Sequence, residues 1–297
     1  MSKTTIFTGT GVAIVTPMNA DGSVNYNKYR ELVEWQIENG TNAIIACGTT
    51  GESSTLNDEE HVEVIRIAVE QTKGRVPVIA GTGSNDTDYC IALSREAKEL
   101  GVDALLVVTP YYNKTSQRGL IAHYTAVADS VKMPIILYNV PSRTGVDIKP
   151  ETYAKLCENP YIVAIKEANG NISSIAKTAS LCGDDIDIYS GNDDQIVPIL
   201  SLGGKGVISV MSNIIPDKTS EIARRWFGGD IKGSCSLQLE LFDLISALFS
   251  DVNPIPVKEA MNLMGMNVGP CRLPLYQMDD QSRQALAIVM RRHNLID

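Results

Sequence analysis

A (β/α)8 barrel with a C-terminal helical appendage is the fold class this sequence predicts, on three observations. Short apolar runs alternate with helix-like stretches at intervals of roughly 20–35 residues, the pattern of parallel βαβ units. Eight such units within about 220 residues fit the usual length of a barrel. From about Asp230 the strand signal ceases and only helical periodicity remains. The expected division is therefore a barrel over 1–229 and a helical region over 230–297 packed on it.

The strand-like runs are Gly11–Val15, Asn42–Cys47, Val76–Ala80, Ala104–Val108, Ile135–Tyr138, Ile162–Ile165, Ile186–Tyr189 and Gly206–Val210. Each is short and apolar, as expected of strands buried on both faces. Three helices show their apolar face clearly. Tyr26–Asn39 carries Tyr29, Leu32, Val33, Gln36 and Ile37 at helical spacing. Asp58–Thr72 carries Val62, Ile65, Ala68 and Val69, and opens on three acids where the N-terminal turn favours negative charge. Asp88–Leu100 closes on Gly101, a C-terminal cap. Beyond Asp230, helices are expected over Gly233–Phe249, Pro254–Met264 and Asp280–His293.

With Lys+Arg 26 against Asp+Glu 35, the net charge of −9 argues against nucleic acid, which needs a basic footprint. An anionic substrate would have to be drawn in by local positive groups. The six cysteines are scattered without a paired C-x-x-C spacing, so we expect reduced thiols and no zinc site. The N-terminus lacks a signal-peptide core, and no apolar run is long enough to span a bilayer. The expectation is a cytoplasmic protein with no membrane partner. The three histidines (His61, His123 and His293) are far apart in sequence and suggest no metal cluster.

In a barrel of this kind, chemistry collects where the strands end. The sixth run leads into Lys166, with Glu167 directly after it. Burial disfavours a charged lysine, and a neutral amine is a nucleophile toward ketones and aldehydes, giving a Schiff base. The alternative is a strand-end lysine that snorkels to water. Gly48-Thr49-Thr50-Gly51-Glu52 offers backbone N–H groups and two hydroxyls to an anion, or is an ordinary turn with capping residues. Without a lysine in that turn it is not a Walker A loop. Gly81-Thr82-Gly83 lacks the third glycine of a dinucleotide fingerprint, and Gly9-Thr10-Gly11 is read as preceding its strand, so neither is given a cofactor. Tyr138 ends the fifth run, where it either relays protons or packs inside the barrel. Arg143, in the loop that follows, either clamps a carboxylate or faces solvent. Tyr111 and Tyr112 are adjacent aromatics on a loop and suggest an interface. Convergence of nest, lysine, tyrosine and arginine on one mouth suits a ketoacid site.

Gly48-Thr49-Thr50-Gly51-Glu52, the stretch from Tyr138 to Gly145 and Ile165-Lys166-Glu167-Ala168 resemble the dihydrodipicolinate synthase and N-acetylneuraminate lyase family. The resemblance extends over nearly the whole chain and includes Thr109–Lys114 and Ser190–Asp193. It implies a class I aldolase mechanism on a barrel, without a cofactor or metal. Lys166 would condense with pyruvate, whose carboxylate Thr49 and Thr50 would hold. Tyr138, Thr49 and Tyr112 would relay protons, with Tyr112 supplied by the neighbouring subunit. Gly191 and Ile208 match positions that shape the pyruvate pocket. Arg143 would hold the carboxylate of a second substrate, aspartate semialdehyde. The product would be 4-hydroxy-tetrahydrodipicolinate, on the diaminopimelate and lysine route, and the assembly a tetramer built from two tight dimers. Sugar-acid lyases of the family generally lack the arginine, and a non-catalytic barrel would have no need of the amine.

The resemblance also bears on regulation. In lysine-inhibited relatives, the effector lies between paired subunits near positions matching Ser53, Ser54, Asp58, His61, Asn85, Tyr89 and Tyr111. Asp58 stands where those relatives often carry histidine, and Tyr89 where they carry the glutamate that pairs with the effector's ammonium. Weak inhibition, or none, is expected.

Overall fold

The computed structural model describes residues 3–297. Eight parallel strands close into one barrel in sequence order: β1 Gly9–Ala13, β2 Ala43–Ala46, β3 Val78–Gly81, β4 Ala104–Val108, β5 Ile135–Asn139, β6 Ile162–Glu167, β7 Asp187–Ser190 and β8 Gly206–Ser209. Closure falls between β8 and β1, where Gly9 stands opposite Gly206. A Cβ on Gly206 would come within 1.8 Å of the Gly9 carbonyl oxygen, so a side chain there would push the seam apart.

Successive side chains of each strand alternate between two apolar layers. Ala13, Ile45, Ile79, Leu106, Ile136, Ala164, Tyr189 and Ile208 fill the barrel interior. Val12, Ile44, Val78, Leu105, Leu137, Ile165 and Val207 face outward and pack under the surrounding helices. Both faces being covered explains why the strands read as continuous apolar runs rather than alternating ones. Phe7 stacks on the Tyr189 ring at 4.3 Å between centroids, and the Tyr189 hydroxyl donates to the Phe7 carbonyl at 2.6 Å.

Asp58–Thr72 forms as expected, with Asn57 and Glu60 in a reciprocal capping box. The third helix runs Thr87–Glu99, and Gly101 follows it in the left-handed conformation, its N–H donating to Lys98 O at 3.0 Å. Two expectations need correction. Gly9-Thr10-Gly11 lies within β1, not before it, because the strand pairs with β8 from Gly9 onward. The stretch expected as one helix over 233–249 is two, Ile231–Glu240 and Phe242–Leu248, joined at Leu241. Bending there lets Leu237, Leu241, Leu244 and Leu248 all reach the same apolar layer. The helices Ile255–Leu263 and Asp280–Arg292 complete the chain, and Val257, Met261 and Met290 join that layer too. No helix among the described residues is long and apolar enough to cross a membrane.

Candidate active site

The alternation that fills the barrel also aims its strand-end side chains. On β6 the inward positions run Ala164 then Lys166, while Ile165 and Glu167 point outward. Register sets Lys166 beside Tyr138 on β5 and beside Tyr189 on β7. Lys166 is only 4% exposed, and its Nζ lies 4.3 Å from the centroid of the Tyr138 ring. The snorkelling alternative therefore does not hold for Lys166. The ring face attracts an ammonium, yet supplies no acceptor that would tie it up.

Gly191 follows β7 and borders the same lysine. A Cβ there would lie 3.2 Å from Lys166 Cγ and 2.8 Å from Ala168 Cβ, so only glycine leaves the lysine stem its room. Ile208 is wholly buried on β8, in the interior layer that contains Tyr138 and Tyr189. Asp193, in the loop after β7, is buried, and its Oδ2 accepts from the N–H groups of Val210 and Met211. Burial raises its pKa, an effect that these hydrogen bonds and the Lys166 charge only partly offset.

Glu167 occupies the outer layer behind the site. Its carboxylate accepts from Tyr153 Oη at 2.9 Å, Asn139 Nδ2 at 3.0 Å and the Asn169 N–H at 2.9 Å. Burial nonetheless pushes its pKa up to about 7. It therefore buttresses β5 and β6 from outside and does not touch the amine.

The loop after β2 closes through turns: Gly51 N–H donates to Gly48 O, and Glu52 N–H to Thr49 O. That leaves the N–H groups of Thr49 and Thr50 without an acceptor among the described residues. Cys47 and Glu52 bracket the loop in the left-handed conformation, at φ of 53° and 55°. Thr50 is buried and its hydroxyl accepts from Asn253 Nδ2 at 3.0 Å. Arg143 sits in the short helix Pro141–Thr144 after β5, and its Nη2 donates to Asn253 O at 3.0 Å. Thr49 and Arg143 line one cavity of about 270 Å3, shared with His61, Ser84, Tyr89 and Tyr111.

The structure thus brings Lys166, Tyr138, Gly191 and Ile208 together, and brings Thr49, Thr50 and Arg143 to the neighbouring mouth. Tyr112 stands apart, 91% exposed, on a loop where its own φ is 67°. Asn253, Lys258 and Arg272 of the C-terminal region reach the β2 loop and were missed from sequence, since no local motif marks them. Among the described residues, no three His, Cys, Asp or Glu side chains converge as a metal site, and all six cysteines are free.

Comparison with known proteins matches residues 6–292 to the dihydrodipicolinate synthetase family. A 4-hydroxy-tetrahydrodipicolinate synthase of Lachnoclostridium phytofermentans is 58% identical over 292 residues, spanning 98% of this chain and 99% of its own. Among solved structures, the chloride-inhibited dihydrodipicolinate synthase of Acinetobacter baumannii complexed with pyruvate superposes with a TM-score of 0.96 at 44% identity, over 98% of this chain and all of that one. The Cyanidioschyzon merolae enzyme with lysine bound gives 0.96 at 39% identity, over 99% of this chain and all of that one. A barrel of eight strands in sequence order, a buried lysine against a tyrosine on adjacent strands and similarity over nearly its full length agree: the chain belongs to the dihydrodipicolinate synthetase family.

Proposed function

We infer that this protein condenses pyruvate with L-aspartate 4-semialdehyde through a Schiff base on Lys166, giving 4-hydroxy-tetrahydrodipicolinate for lysine and diaminopimelate biosynthesis. The observation that carries it is the buried Lys166 amine over the Tyr138 ring, in a chain 58% identical to an enzyme of that name. The amine attacks the pyruvate carbonyl and loses water to an iminium. Its cationic nitrogen accepts electrons as the methyl carbon gives up a proton. The resulting enamine attacks the aldehyde, whose oxygen takes up a proton. The semialdehyde's own amine then adds to the re-formed iminium carbon and displaces the Lys166 amine as the ring closes.

Thr49 and Thr50 serve the pyruvate carboxylate; their free N–H groups support this role, because an ionised carboxylate only accepts. Gly191 and Ile208 bound the pocket around the lysine, and the room a glycine leaves beside Lys166 Cγ supports that for Gly191. Tyr138, Thr49 and Tyr112 form the proton relay. Tyr112 comes from a second subunit, a reading supported by its exposure on this one. Arg143 binds the carboxylate of aspartate semialdehyde with the guanidinium edge not engaged by Asn253. The assembly is a tetramer made of tight dimers, and the enzyme works in the cytoplasm, where free thiols persist. Residues 230–297 form a helical region whose function is to pack on the barrel and brace its mouth.

Sugar-acid cleavage is the competing activity. Rates of condensation with aspartate semialdehyde, set against cleavage of N-acetylneuraminate and 2-keto-3-deoxygluconate, decide between them. Turnover is expected only with the semialdehyde, and Arg143→Ala is expected to cost that reaction about 2–4 kcal/mol in transition-state binding while sparing pyruvate trapping. Efficient sugar-acid cleavage, or an Arg143→Ala variant as efficient as the parent, contradicts the reading.

A further inference from the structure

Asn253 touches both groups assigned above to the two substrates. It is buried, two residues before the helix Ile255–Leu263. Its side-chain Nδ2 donates to Thr50 Oγ1 at 3.0 Å, and its backbone carbonyl accepts from Arg143 Nη2 at 3.0 Å. Its Oδ1 is buried with no hydrogen-bond partner among the described residues.

A threonine hydroxyl has one hydrogen and two lone pairs. When Asn253 donates into one lone pair, the hydroxyl hydrogen of Thr50 cannot point back at the amide. It is left to donate elsewhere, beside an N–H of the same residue that also lacks an acceptor. Two donors on one residue suit a ligand that only accepts, as a carboxylate does. We propose that Asn253 is a positioning residue that fixes the Thr50 hydroxyl as a donor to the pyruvate carboxylate, through its side-chain amide. Its backbone carbonyl holds Arg143 independently of the side chain. The proposal rests on the reading of Thr50 as a pyruvate ligand.

The two contacts leave Asn253 by different routes, so substitution separates them. Alanine removes the amide donor and keeps the carbonyl that holds Arg143. Aspartate reverses the hydrogen bond, since an ionised carboxylate only accepts; Thr50 would then spend its hydrogen on residue 253, and a negative charge would stand beside the carboxylate pocket. Glutamine keeps a donor at longer reach.

The test is steady-state kinetics on the full enzyme, with each substrate varied in turn, for Asn253→Ala, Asn253→Asp, Thr50→Val and the Thr50→Val/Asn253→Ala double variant. Asn253→Ala is expected to raise the pyruvate KM about 10-fold and the aspartate semialdehyde KM less than about 3-fold. Asn253→Asp is expected to raise the pyruvate KM further, and the double variant to be no worse than Thr50→Val alone, because the amide acts through that hydroxyl. Equal increases for both substrates, or an additive double variant, overturn the proposal in favour of general support of the fold. So does an Asn253→Asp enzyme with the parental pyruvate KM, which would make Thr50 the donor to residue 253. If Thr50→Val itself leaves the pyruvate KM unchanged, the assignment of Thr50 falls and takes this inference with it. If Thr50→Val raises it and Asn253→Asp does not, only the inference falls.

Discussion

Glu52 and Lys258 form an ion pair of 2.7 Å across 206 residues of chain, with the carboxylate fully buried and the lysine only 2% exposed. The remaining ammonium hydrogens go to Thr16 O at 3.1 Å and Pro270 O at 2.6 Å. The second Glu52 oxygen accepts from the Arg272 N–H at 2.8 Å. Arg272 then reaches Glu60, at the start of Asp58–Thr72, with two bonds of 2.6 Å. The C-terminal helices are thereby fastened to the loop that presents Thr49 and Thr50.

Removing one member of a buried, fully hydrogen-bonded pair leaves the other charge stranded. Lys258→Ala is expected to lose about 3–5 kcal/mol of stability, measured by denaturant unfolding. The Glu52→Gln/Lys258→Met double variant is expected to lose less than Lys258→Ala alone. A Lys258→Ala protein as stable as its parent would show that the pair does not brace the loop.

Lys166 and Tyr138 were legible as strand-end residues because apolar runs mark the strands and a barrel collects chemistry at one end. Their inward facing comes from the register, which the continuous runs do not reveal. The brace was not legible. Nothing local tells which lysine will meet Glu52, because the match depends on how helices beyond residue 230 settle on the barrel. The break at Leu241 was hidden for a related reason: no Gly or Pro marks it, and helical periodicity continues through it. Strand limits moved by one or two residues. β1 begins at Gly9, where pairing with β8 starts, and ends at Ala13, short of the apolar Ile14 and Val15, since pairing with neighbours and not apolarity sets where a strand stops.

The proposed role of Tyr112 makes activity depend on assembly. Its side chain is 91% exposed, on a left-handed backbone that a bulky residue adopts only at a cost, which suits a contact with a neighbouring subunit. Mixing inactive Tyr112→Phe with inactive Lys166→Ala subunits is expected to restore activity in hybrid dimers, where one site receives both intact groups. Absence of rescue after verified subunit exchange would place Tyr112 in the site of its own chain.

Lysine is expected to inhibit weakly or not at all. Tyr89 Oη donates to Asp58 Oδ1 at 2.5 Å, and that bond, with burial, pushes the phenol pKa up to about 12. Tyr89 is therefore neutral near pH 7 and brings no charge to an ammonium, while the Asp58 carboxylate is already engaged. Loss of one partner from such an ion pair costs roughly 2–5 kcal/mol, or about 30-fold or more in affinity. Initial rates across a lysine series test this; half-inhibition below about 1 mM, where binding is worth roughly 4 kcal/mol, is the contrary result.

Everything in the mechanism passes through one amine. Incubating the enzyme with pyruvate, reducing with borohydride and mapping the modified peptide by mass spectrometry shows which lysine forms the imine. The adduct is expected on Lys166 alone, and is expected to vanish in Lys166→Arg, whose guanidinium keeps the charge but stays protonated and cannot attack. An adduct on any other lysine, or no adduct after reduction, contradicts a Schiff base at Lys166.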